Sequence, residues 1–394
     1  MAVKKKEVVN EELKDASLME IMASNGSKIF TKNTIIDYSY STGIPVIDYL
    51  LGYEIFVRDE NKQIIKIRKC LGMQAGSFNV LCGGTQSWKT TVGEQISANI
   101  AHRYGGNVIH YDVENRLVLQ RLMTMTKLPS DWFDGDNPRY MIRNESIGYD
   151  TLQEAVVELY KVKMSRKELL LKDTGEVDRH NKPIWLMPPT VMFVDSITSV
   201  IKNEYNIDDK KSMETVSDLR SNTYGMQSAK TLRGVLTDLL PMMKEANIIM
   251  IVIAHENDNP ATGPTVPAKQ FQYGKATKKI SGGKALEYNA STVLSFTGES
   301  KDESRYYVNT DGFEGNTVLI EPTKLSTNES GNEKTGLGVR LVIDKFVRGC
   351  DNIRSLIKLL DAKGRLRGNR LGYVVLDKQG QPITNKFSWK GCYE

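Results

Sequence analysis

Residues Val80 to Thr91 read VLCGGTQSWKTT and carry the strongest fold signal in the chain. This stretch begins as an apolar run, turns at a pair of glycines and ends in a lysine and two threonines. The strict phosphate-loop pattern is G-x-x-x-x-G-K-[ST], and Gly83, Lys89 and Thr90 match it at the correct spacing. Trp88 stands where the second glycine belongs, and tryptophan makes the required backbone path harder than glycine does. The lysine and the Mg²⁺-binding hydroxyl that such a loop needs are both present.

The residues on either side favour a phosphate loop. The run Phe78–Cys82 predicts a buried strand, and Val92, Ile96 and Ile100 follow the loop at helical spacing. This order places Lys89 at a helix N-terminus, where anions bind. The alternative is an ordinary glycine-rich turn before a helix. The residues that we expect to contact a nucleotide are Gly83, Gly84, Thr85, Gln86, Ser87, Trp88, Lys89, Thr90 and Thr91.

Length and composition restrict the class of protein. The chain has 394 residues and a formal net charge of +5, which permits a polyanionic partner without requiring one. Its four cysteines are widely scattered and predict neither a metal site nor a disulfide framework, so we expect a reducing compartment such as the cytoplasm. We find no signal peptide and no apolar stretch long enough to span a membrane.

Apolar runs alternate with helical patterns from Gly76 to about Phe346, which predicts an α/β fold with a mainly parallel, twisted sheet covered by helices. We expect a small N-terminal arm or lobe (1–38), a core (39–345) and a small C-terminal α+β region (346–394). Two insertions are expected in the core. The first, about 54–71, reads as a hairpin, and the second, 165–189, is charged and rich in turn residues.

Polar residues follow three of the predicted strands. Asp195 ends Val191–Val194, a pattern in which the carboxylate supports Mg²⁺, although a strand followed by an Asp-Ser turn is also common. Asp112 and Glu114 end another strand, and either carboxylate could orient an attacking water. His255 ends Ile248–Ala254 and precedes a long loop. Open parallel sheets place their sites at such strand ends.

The order of these motifs resembles the RecA family of DNA strand-exchange recombinases. The most specific segment is Ser281–Ser291 (SGGKALEYNAS), which is similar to the Gly-Gly-Asn-Ala-Leu segment of the family, and Tyr40–Asp48 resembles its Ser-Thr-Gly stretch. Within the family, the T-even phage UvsX-like branch has an aromatic residue in the second-glycine position and a histidine at the strand end. Trp88 and His255 fit that branch.

The resemblance implies a RecA-like ATPase core with ATP and Mg²⁺ as cofactors. Thr90 and Asp195 would hold Mg²⁺, and Glu114 would position the attacking water. His255 would sense the γ-phosphate, and Lys324 would reach ATP across a filament interface, as an arginine finger does. Arg121 stands where the family usually has an aromatic residue against the adenine, and a guanidinium plane can also stack there.

The resemblance further implies two DNA-binding loops, about 202–226 and 256–282. Lysines and an arginine would attract phosphates, and two aromatic side chains would stack on bases. A solvated, charged connector is the alternative for each loop. The candidate DNA-binding residues are Lys210, Lys211, Arg220, Lys269, Phe271, Tyr273, Lys275, Lys278 and Lys279.

The resemblance therefore implies an ATP-dependent enzyme of DNA recombination and repair that forms a filament on single-stranded DNA and catalyses homologous pairing with duplex DNA. Expected partners are single- and double-stranded DNA, further copies of the chain, and a loader and a single-strand-binding protein. For a phage protein the compartment would be the bacterial host cytoplasm. Two alternatives stay open: a hexameric helicase-type motor on the same core, and a non-hydrolysing DNA-binding mediator with a degenerate phosphate loop.

Overall fold

The computed structural model describes residues 36–144, 148–197, 222–258, 278–280, 284–298, 315–326, 336–344, 349–369 and 372–388. The chain divides into two compact units, Met1–Ile36 and Asp37–Glu394, and every element below lies in the second.

The strands are numbered in chain order. They are β1 Ser39–Tyr40, β2 Tyr53–Arg58, β3 Ile64–Cys70, β4 Met73–Gln74, β5 Phe78–Gly83, β6 Asn107–Asp112, β7 Tyr140–Arg143, β8 Lys172–Val177, β9 Pro183–Leu186, β10 Thr190–Asp195, β11 Ile248–Asp258, β12 Lys278–Ile280, β13 Thr292–Gly298, β14 Gly315–Leu325, β15 Val339–Asp344, β16 Cys350–Asp351, β17 Leu366–Asn369 and β18 Gly372–Val375.

The helices are numbered in the same way. They are α1 Pro45–Leu51, α2 Lys89–Arg103, α3 Leu119–Thr126, α4 Asp131–Asp134, α5 Tyr149–Ser165, α6 Lys167–Leu170, α7 Asn222–Glu245, α8 Lys284–Asn289 and α9 Asn352–Ala362. None of the helices in the described ranges is long and apolar enough to cross a membrane.

One mixed sheet organises the molecule. Its strand order is β16-β15-β14-β13-β5-β11-β10-β6-β7, and β12 pairs with β11. The strands from β13 to β7 run parallel, whereas β14, β15 and β16 are antiparallel to their neighbours. The predicted α/β class with a mainly parallel sheet is confirmed.

The central strands are buried on both faces because helices cover both. Every residue of β5 and β10 is buried. On one face, Val80 and Met192 pack in a cluster with Val156 of α5 and Leu239 of α7. On the other face, α2 approaches so closely that a Cβ on Gly93 would lie 2.4 Å from the ring of Phe193. Continuous apolar strands are what such two-sided burial requires.

The structure corrects the expected limits of both DNA-binding loops. The first loop was predicted to reach residue 226, but α7 begins at Asn222, in a segment whose helical pattern is weak near its start. The second was predicted over 256–282, but β11 continues to Asp258 and pairs with β12. Backbone hydrogen bonds between these two short polar segments stabilise them as strands, and polar residues without periodicity give no strand signal in the sequence.

Both predicted insertions contain hairpins beside the main sheet. β2 pairs with β3, as expected for 54–71, and β8 pairs with β9 within the charged segment 165–189. Asp37 joins the two hairpins, because its carboxylate accepts hydrogen bonds from Arg179 while its backbone carbonyl accepts one from Arg68. The hydrogen bonds of Arg179 hold the pKa of Asp37 below its ordinary value, although burial opposes them.

A buried lysine of α5 forms hydrogen bonds with residues at or just before the start of the central strands. The Nζ of Lys163 donates to the carbonyls of Pro188 and Asn247 and to the hydroxyl of Thr190, at 2.7, 3.5 and 3.1 Å. Burial lowers the pKa of Lys163 to about 7. This contact lies at the N-terminal edge of the sheet, opposite the edge where the predicted site residues lie.

Candidate active site

The candidate phosphate loop, residues 84–88, connects β5 to α2 through a turn that contains two residues with positive φ. Trp88 caps α2 in the left-handed conformation with φ 65°, and Gln86 also has a positive φ of 59°. Trp88 therefore adopts the backbone conformation that glycine adopts easily in this position, at a cost of about 1–2 kcal/mol for a residue with a Cβ. At Gly83, in contrast, a side chain would clash, since a Cβ there would lie 2.3 Å from the carbonyl oxygen of Phe296.

Lys89 is buried inside the loop that it closes. Its Nζ donates to the carbonyls of Gly83 and Gly84, at 3.1 and 2.5 Å, and to the hydroxyl of Ser87 at 3.1 Å. Burial lowers the pKa of Lys89, against the opposing effect of the nearby Asp195 carboxylate. The ammonium group thus lies where the loop backbone converges, which is where a bound phosphate needs positive charge.

Thr90 and Asp195 meet although 105 residues separate them in the sequence. The Thr90 hydroxyl donates to Oδ2 of Asp195 at 2.7 Å. The pKa of Asp195 is raised to about 6, chiefly by burial; the Thr90 hydrogen bond lowers it, and the carboxylates of Glu114 and Asp112 contribute to the rise. A divalent cation would relieve the repulsion between these carboxylates. One hydroxyl and one carboxylate are protein ligands that suit Mg²⁺ when phosphate oxygens and water complete its coordination.

No group of three or more His, Cys, Asp or Glu side chains is placed to hold a metal ion anywhere in the described ranges. A cation on Thr90 and Asp195 would therefore take its remaining ligands from phosphate oxygens and water. Mg²⁺ in nucleotide sites is commonly bound in this way. The residues present fit that cofactor only together with a nucleotide.

Glu114, one of the two candidate water-orienting carboxylates, contacts three polar side chains. Its Oε1 accepts from the Ser196 hydroxyl at 3.0 Å and lies 3.2 Å from Nε2 of His255, and its Oε2 lies 3.2 Å from Nη1 of Arg116. Burial tends to raise its pKa, but these hydrogen bonds and the Arg116 charge hold it below the ordinary value. Asp112, the other candidate, accepts the backbone N–H groups of Arg116 and Leu117 and so shapes the turn.

The predicted residues of four separate segments line one cavity of about 940 Å³. The sheet explains this, because β5, β10, β6 and β11 run parallel and end at the same edge. Lys89, Thr90, Asp195, Glu114 and His255 all face the cavity, and so do the other loop residues Thr85, Gln86, Ser87, Trp88 and Thr91. Its volume is within the range of sites for small-molecule ligands.

Arg121 also lines the cavity, and it forms an ion pair there. Its Nη2 lies 2.8 Å from Oε2 of Glu94, a fully buried residue of α2. Burial raises the pKa of Glu94 to about 7, although the positive charge of Arg121 lowers it. Sequence reasoning missed Glu94. The available signal was a carboxylate at an otherwise buried position of a helix that packs on the sheet.

Sequence reasoning also missed several other residues that line the cavity or contact its lining. Arg116 lines the cavity beside Glu114, and the fully buried Ser196 donates to Glu114 from the residue after Asp195. His110 lines it as well, and burial lowers its pKa to about 4, so its ring is neutral at pH 7. Asn316, Thr317 and Val318 of β14 form part of the opposite wall.

Lys324 lies elsewhere in this chain and is absent from the described lining of the cavity. Its Nζ donates to the carbonyls of Glu287 and Tyr288 at the C-terminus of α8, at 2.6 and 2.9 Å. A lysine at a helix C-terminus stabilises the exposed carbonyls. Burial lowers its pKa, and Glu287 opposes that shift. The predicted role of Lys324 concerns a neighbouring copy of the chain and stays a prediction.

Most of the candidate DNA-binding residues lie outside the described residues. These are Lys210, Lys211, Arg220, Lys269, Phe271, Tyr273 and Lys275. Lys278 and Lys279 belong to β12, which pairs with the end of β11, while their side chains lie outside the description. The short ladder places the end of the second loop beside the strand that carries His255.

No family model matches this chain, and no curated protein matches it either. What the site can do is therefore argued from its residues and their geometry.

Proposed function

We propose that this chain is an ATP-dependent recombinase of the RecA type that assembles on single-stranded DNA and pairs it with homologous duplex DNA. The observation that carries the proposal is the convergence of Lys89, Thr90, Asp195, Glu114 and His255 on one cavity. These residue types supply a phosphate cradle, a cation site, a water-orienting carboxylate and a polar group at the end of a strand. Together they are the parts that phosphoryl transfer to water requires.

Each residue has a separate task in hydrolysis. Lys89 leaves its contacts with the loop carbonyls and donates to β- and γ-phosphate oxygens, while Thr90 and Asp195 hold Mg²⁺. The bound cation would supply neutralisation of the charge on the transferring phosphoryl group. Glu114 orients water against the γ-phosphate, and it is ionised at neutral pH because its hydrogen bonds keep its pKa low. This is the protonation state that a group accepting a proton from water needs.

His255 connects the cavity to the DNA loop. It pairs with Gly83 across β5 and β11, so it lies next to the start of the phosphate loop, and it contacts Glu114. Three residues further on, β11 ends at Asp258, and the chain continues into the second candidate DNA loop. A γ-phosphate that hydrogen-bonds to His255 competes with Glu114 for the imidazole. In this way nucleotide state and loop position are coupled through one strand.

The decisive measurement is strand exchange between a circular single strand and a homologous linear duplex, in the presence of ATP and Mg²⁺. We expect joint molecules with homologous duplex and none with heterologous duplex. ATP hydrolysis should increase when single-stranded DNA is added and should be abolished in Lys89→Ala. Lys161→Ala, which removes an exposed lysine far from the loop, is the matched control.

The two alternatives give different results in the same experiments. A helicase-type motor would unwind a duplex next to a single-stranded tail and form closed rings in electron micrographs, without producing joint molecules. A non-hydrolysing mediator would bind DNA with no ATP turnover even on saturating single-stranded DNA. Either result would refute the recombinase proposal.

A further inference from the structure

An arginine with an exposed side chain lies beside the candidate water-orienting carboxylate. Nη1 of Arg116 lies 3.2 Å from Oε2 of Glu114, and Arg116 lines the same cavity as Lys89. The Arg116 side chain is 80% exposed, and ion pairs formed in solvent contribute little stability. The guanidinium can therefore leave Glu114 for a partner that binds it more strongly.

The backbone of Arg116, in contrast, is fixed at the end of β6. Its N–H donates to Oδ1 of Asp112 at 3.1 Å, and the N–H of Leu117 donates to Oδ2 at 2.8 Å. Asp112 is buried, and Asn115 adopts the left-handed conformation with φ 52°, which asparagine tolerates well. An aspartate that accepts nearby backbone N–H groups stabilises a tight turn. A long, exposed side chain thus begins at a fixed position beside the cavity.

The sheet places Arg116 and the phosphate loop on different sides of the cavity. The loop follows β5 and Arg116 follows β6, and β11 and β10 lie between these two strands. Three strand spacings separate them, which is about 14 Å at the edge of the sheet. Lys89 can therefore approach a γ-phosphate from the loop, and Arg116 can approach it from the side where Glu114 orients water.

The contact with Glu114 limits how far Arg116 can be from the reacting atoms. A water that Glu114 orients lies about 3 Å from the carboxylate and about 3 Å from the phosphorus that it attacks. The guanidinium already lies 3.2 Å from the same carboxylate. Rotation of the long side chain can therefore bring it to the γ-phosphate oxygens without any movement of the backbone.

We propose that Arg116 is a further catalytic residue, which leaves Glu114 when ATP binds and donates to the γ-phosphate oxygens of the same chain's nucleotide. The inference rests on the proposed ATP hydrolysis and names a second protein cation for it. Phosphate oxygens bind a guanidinium through two parallel hydrogen bonds, which are stronger than a single contact to an exposed carboxylate. Arginine contacts of this kind stabilise the charge that develops in phosphoryl transfer.

The exchange also prepares Glu114 for its task. Burial raises the pKa of Glu114, whereas its hydrogen bonds and the charge of Arg116 lower it. When Arg116 turns to phosphate, Glu114 loses one of these effects and becomes a stronger base. It takes a proton from the attacking water as the new P–O bond forms and the bond to the bridging oxygen breaks. ADP then leaves with the electron pair of the broken bond.

The first test compares ADP with a mimic of the transferring phosphoryl group. Calorimetry on the purified full chain with Mg²⁺ measures the affinity for ADP alone and for ADP with aluminium fluoride. Arg116→Ala should weaken the aluminium fluoride complex about 100-fold and leave ADP affinity within about threefold of wild type. Arg116→Lys, which keeps the charge but not the paired donors, should lie between the two. Arg103→Ala, an exposed arginine outside the described cavity lining, is the matched control and should change neither affinity.

Mixed filaments test whether Arg116 acts within its own chain. On single-stranded DNA, Arg116→Ala should hydrolyse ATP about 100-fold more slowly than wild type in single-turnover measurements. Addition of Lys89→Ala chains should restore none of this activity, because every site then lacks either Lys89 or Arg116. Energy transfer between labelled chains verifies that the two variants assemble together, and circular dichroism establishes that each is folded.

Four results would overturn the inference. Arg116→Ala could hydrolyse ATP at the wild-type rate, which would reduce the contact to a surface ion pair, or faster, which would make Arg116 a restraint on Glu114. It could also lose ADP affinity as strongly as affinity for the aluminium fluoride complex, or recover activity on mixing. Failure of the nucleotide site itself gives a different result, because wild type would then bind neither ligand and Lys89→Ala would change nothing.

Discussion

Trp88 occupies the position where the phosphate-loop sequence pattern has glycine. Its backbone adopts the left-handed conformation there. Trp88→Gly and Trp88→Ala both remove the ring, but only glycine adopts this conformation freely. We expect the glycine variant to exceed the alanine variant in unfolding free energy by about 1 kcal/mol.

Urea unfolding of the two variants measures this difference. We also expect ATP turnover to persist in Trp88→Gly, because Lys89 and Thr90 are unchanged. Equal stability of the two variants would show that the turn relaxes to negative φ when the ring is removed. Turnover that disappears with glycine would instead assign the indole a direct role in nucleotide binding.

Glu114 should affect the chemical step more than nucleotide binding. Glu114→Gln retains the shape of the side chain but removes the negative charge that orients water. We expect ATP affinity within a few fold of wild type and a hydrolysis rate lower by at least about 100-fold, the usual contribution of a positioned acid or base. Single-turnover hydrolysis and equilibrium binding provide the two measurements.

Asp112→Asn is the comparison for Glu114→Gln. It should affect stability through the turn at Arg116 and Leu117, because Asp112 accepts both backbone N–H groups. If Asp112→Asn abolished turnover while Glu114→Gln hydrolysed ATP at the wild-type rate, the water-orienting role would belong to Asp112.

For single residues, the sequence predicted those site residues that are marked by a motif or a strand signal next to them in the chain. Lys89, Asp195 and His255 each follow a strand signal, and parallel strands end at one edge, so their convergence could be predicted. Glu94 and Ser196 could not be found in this way. Their roles depend on which side chain of a distant segment meets them, and neither periodicity nor spacing encodes that contact.

At the scale of elements, Lys163 makes stability depend on pH. Its pKa is lowered from an ordinary value of 10.5 to about 7, so between these values the unfolded state binds one more proton than the folded state. The unfolding free energy therefore rises with pH across that window, by up to roughly 5 kcal/mol. Below about pH 7 both states are protonated, and this contribution no longer changes.

The measurement is urea unfolding between pH 7 and 9.5. We expect the rise to be much smaller in Lys163→Met, which has no titratable group, and unchanged in Lys161→Met, the exposed lysine two residues earlier in α5. Identical pH profiles for wild type and Lys163→Met would show that the buried ammonium stays charged throughout the range.

The second candidate DNA loop also belongs to this scale. Replacing Lys275, Lys278 and Lys279 with alanine should weaken binding to single-stranded DNA and flatten its dependence on salt. Each lost phosphate contact should reduce the slope of log affinity against log salt by about 0.7. Fluorescence titration at several salt concentrations tests this, with Lys172→Ala, Lys182→Ala and Lys66→Ala combined as a control of equal charge. An unchanged slope would make the segment a plain connector.

Long apolar elements were predictable and short polar ones were not. The central strands β5, β6, β10 and β11 were all expected, because burial on both faces requires unbroken apolar runs. β12 and the end of β11 contain lysine, glutamate and asparagine. Hydrogen bonds between the two segments stabilise them as strands. The paired residues lie about twenty positions apart in the chain, so local sequence patterns do not reveal the pairing.

At the scale of the whole molecule, Lys324 should act in a neighbouring copy. Lys324→Ala should keep ATP affinity largely intact and lose most DNA-stimulated turnover, because a far-side cation stabilises the transition state more than bound ATP. Within its own chain the Nζ of Lys324 donates to two carbonyls of α8, so the variant also loses a helix C-terminal contact.

Mixing distinguishes these two effects. Filaments assembled from Lys324→Ala and Lys89→Ala chains contain interfaces with an intact Lys89 and an intact Lys324, so turnover should partly return. Co-assembly is verified independently by energy transfer between labelled chains. If mixed filaments form and remain inactive, Lys324 does not act across an interface, and its contact with α8 is its whole role.

The hydrogen bonds of Lys89 inside its own loop also affect the enthalpy and the association rate expected for nucleotide binding. The ammonium group has three acceptors within the loop, so phosphate oxygens would replace these partners and the number of hydrogen bonds would change little. The enthalpy of capture should accordingly be modest. The loop already has its curved shape, so little chain entropy is lost on binding. Encounter by diffusion, and not folding of the loop, would then limit the association rate.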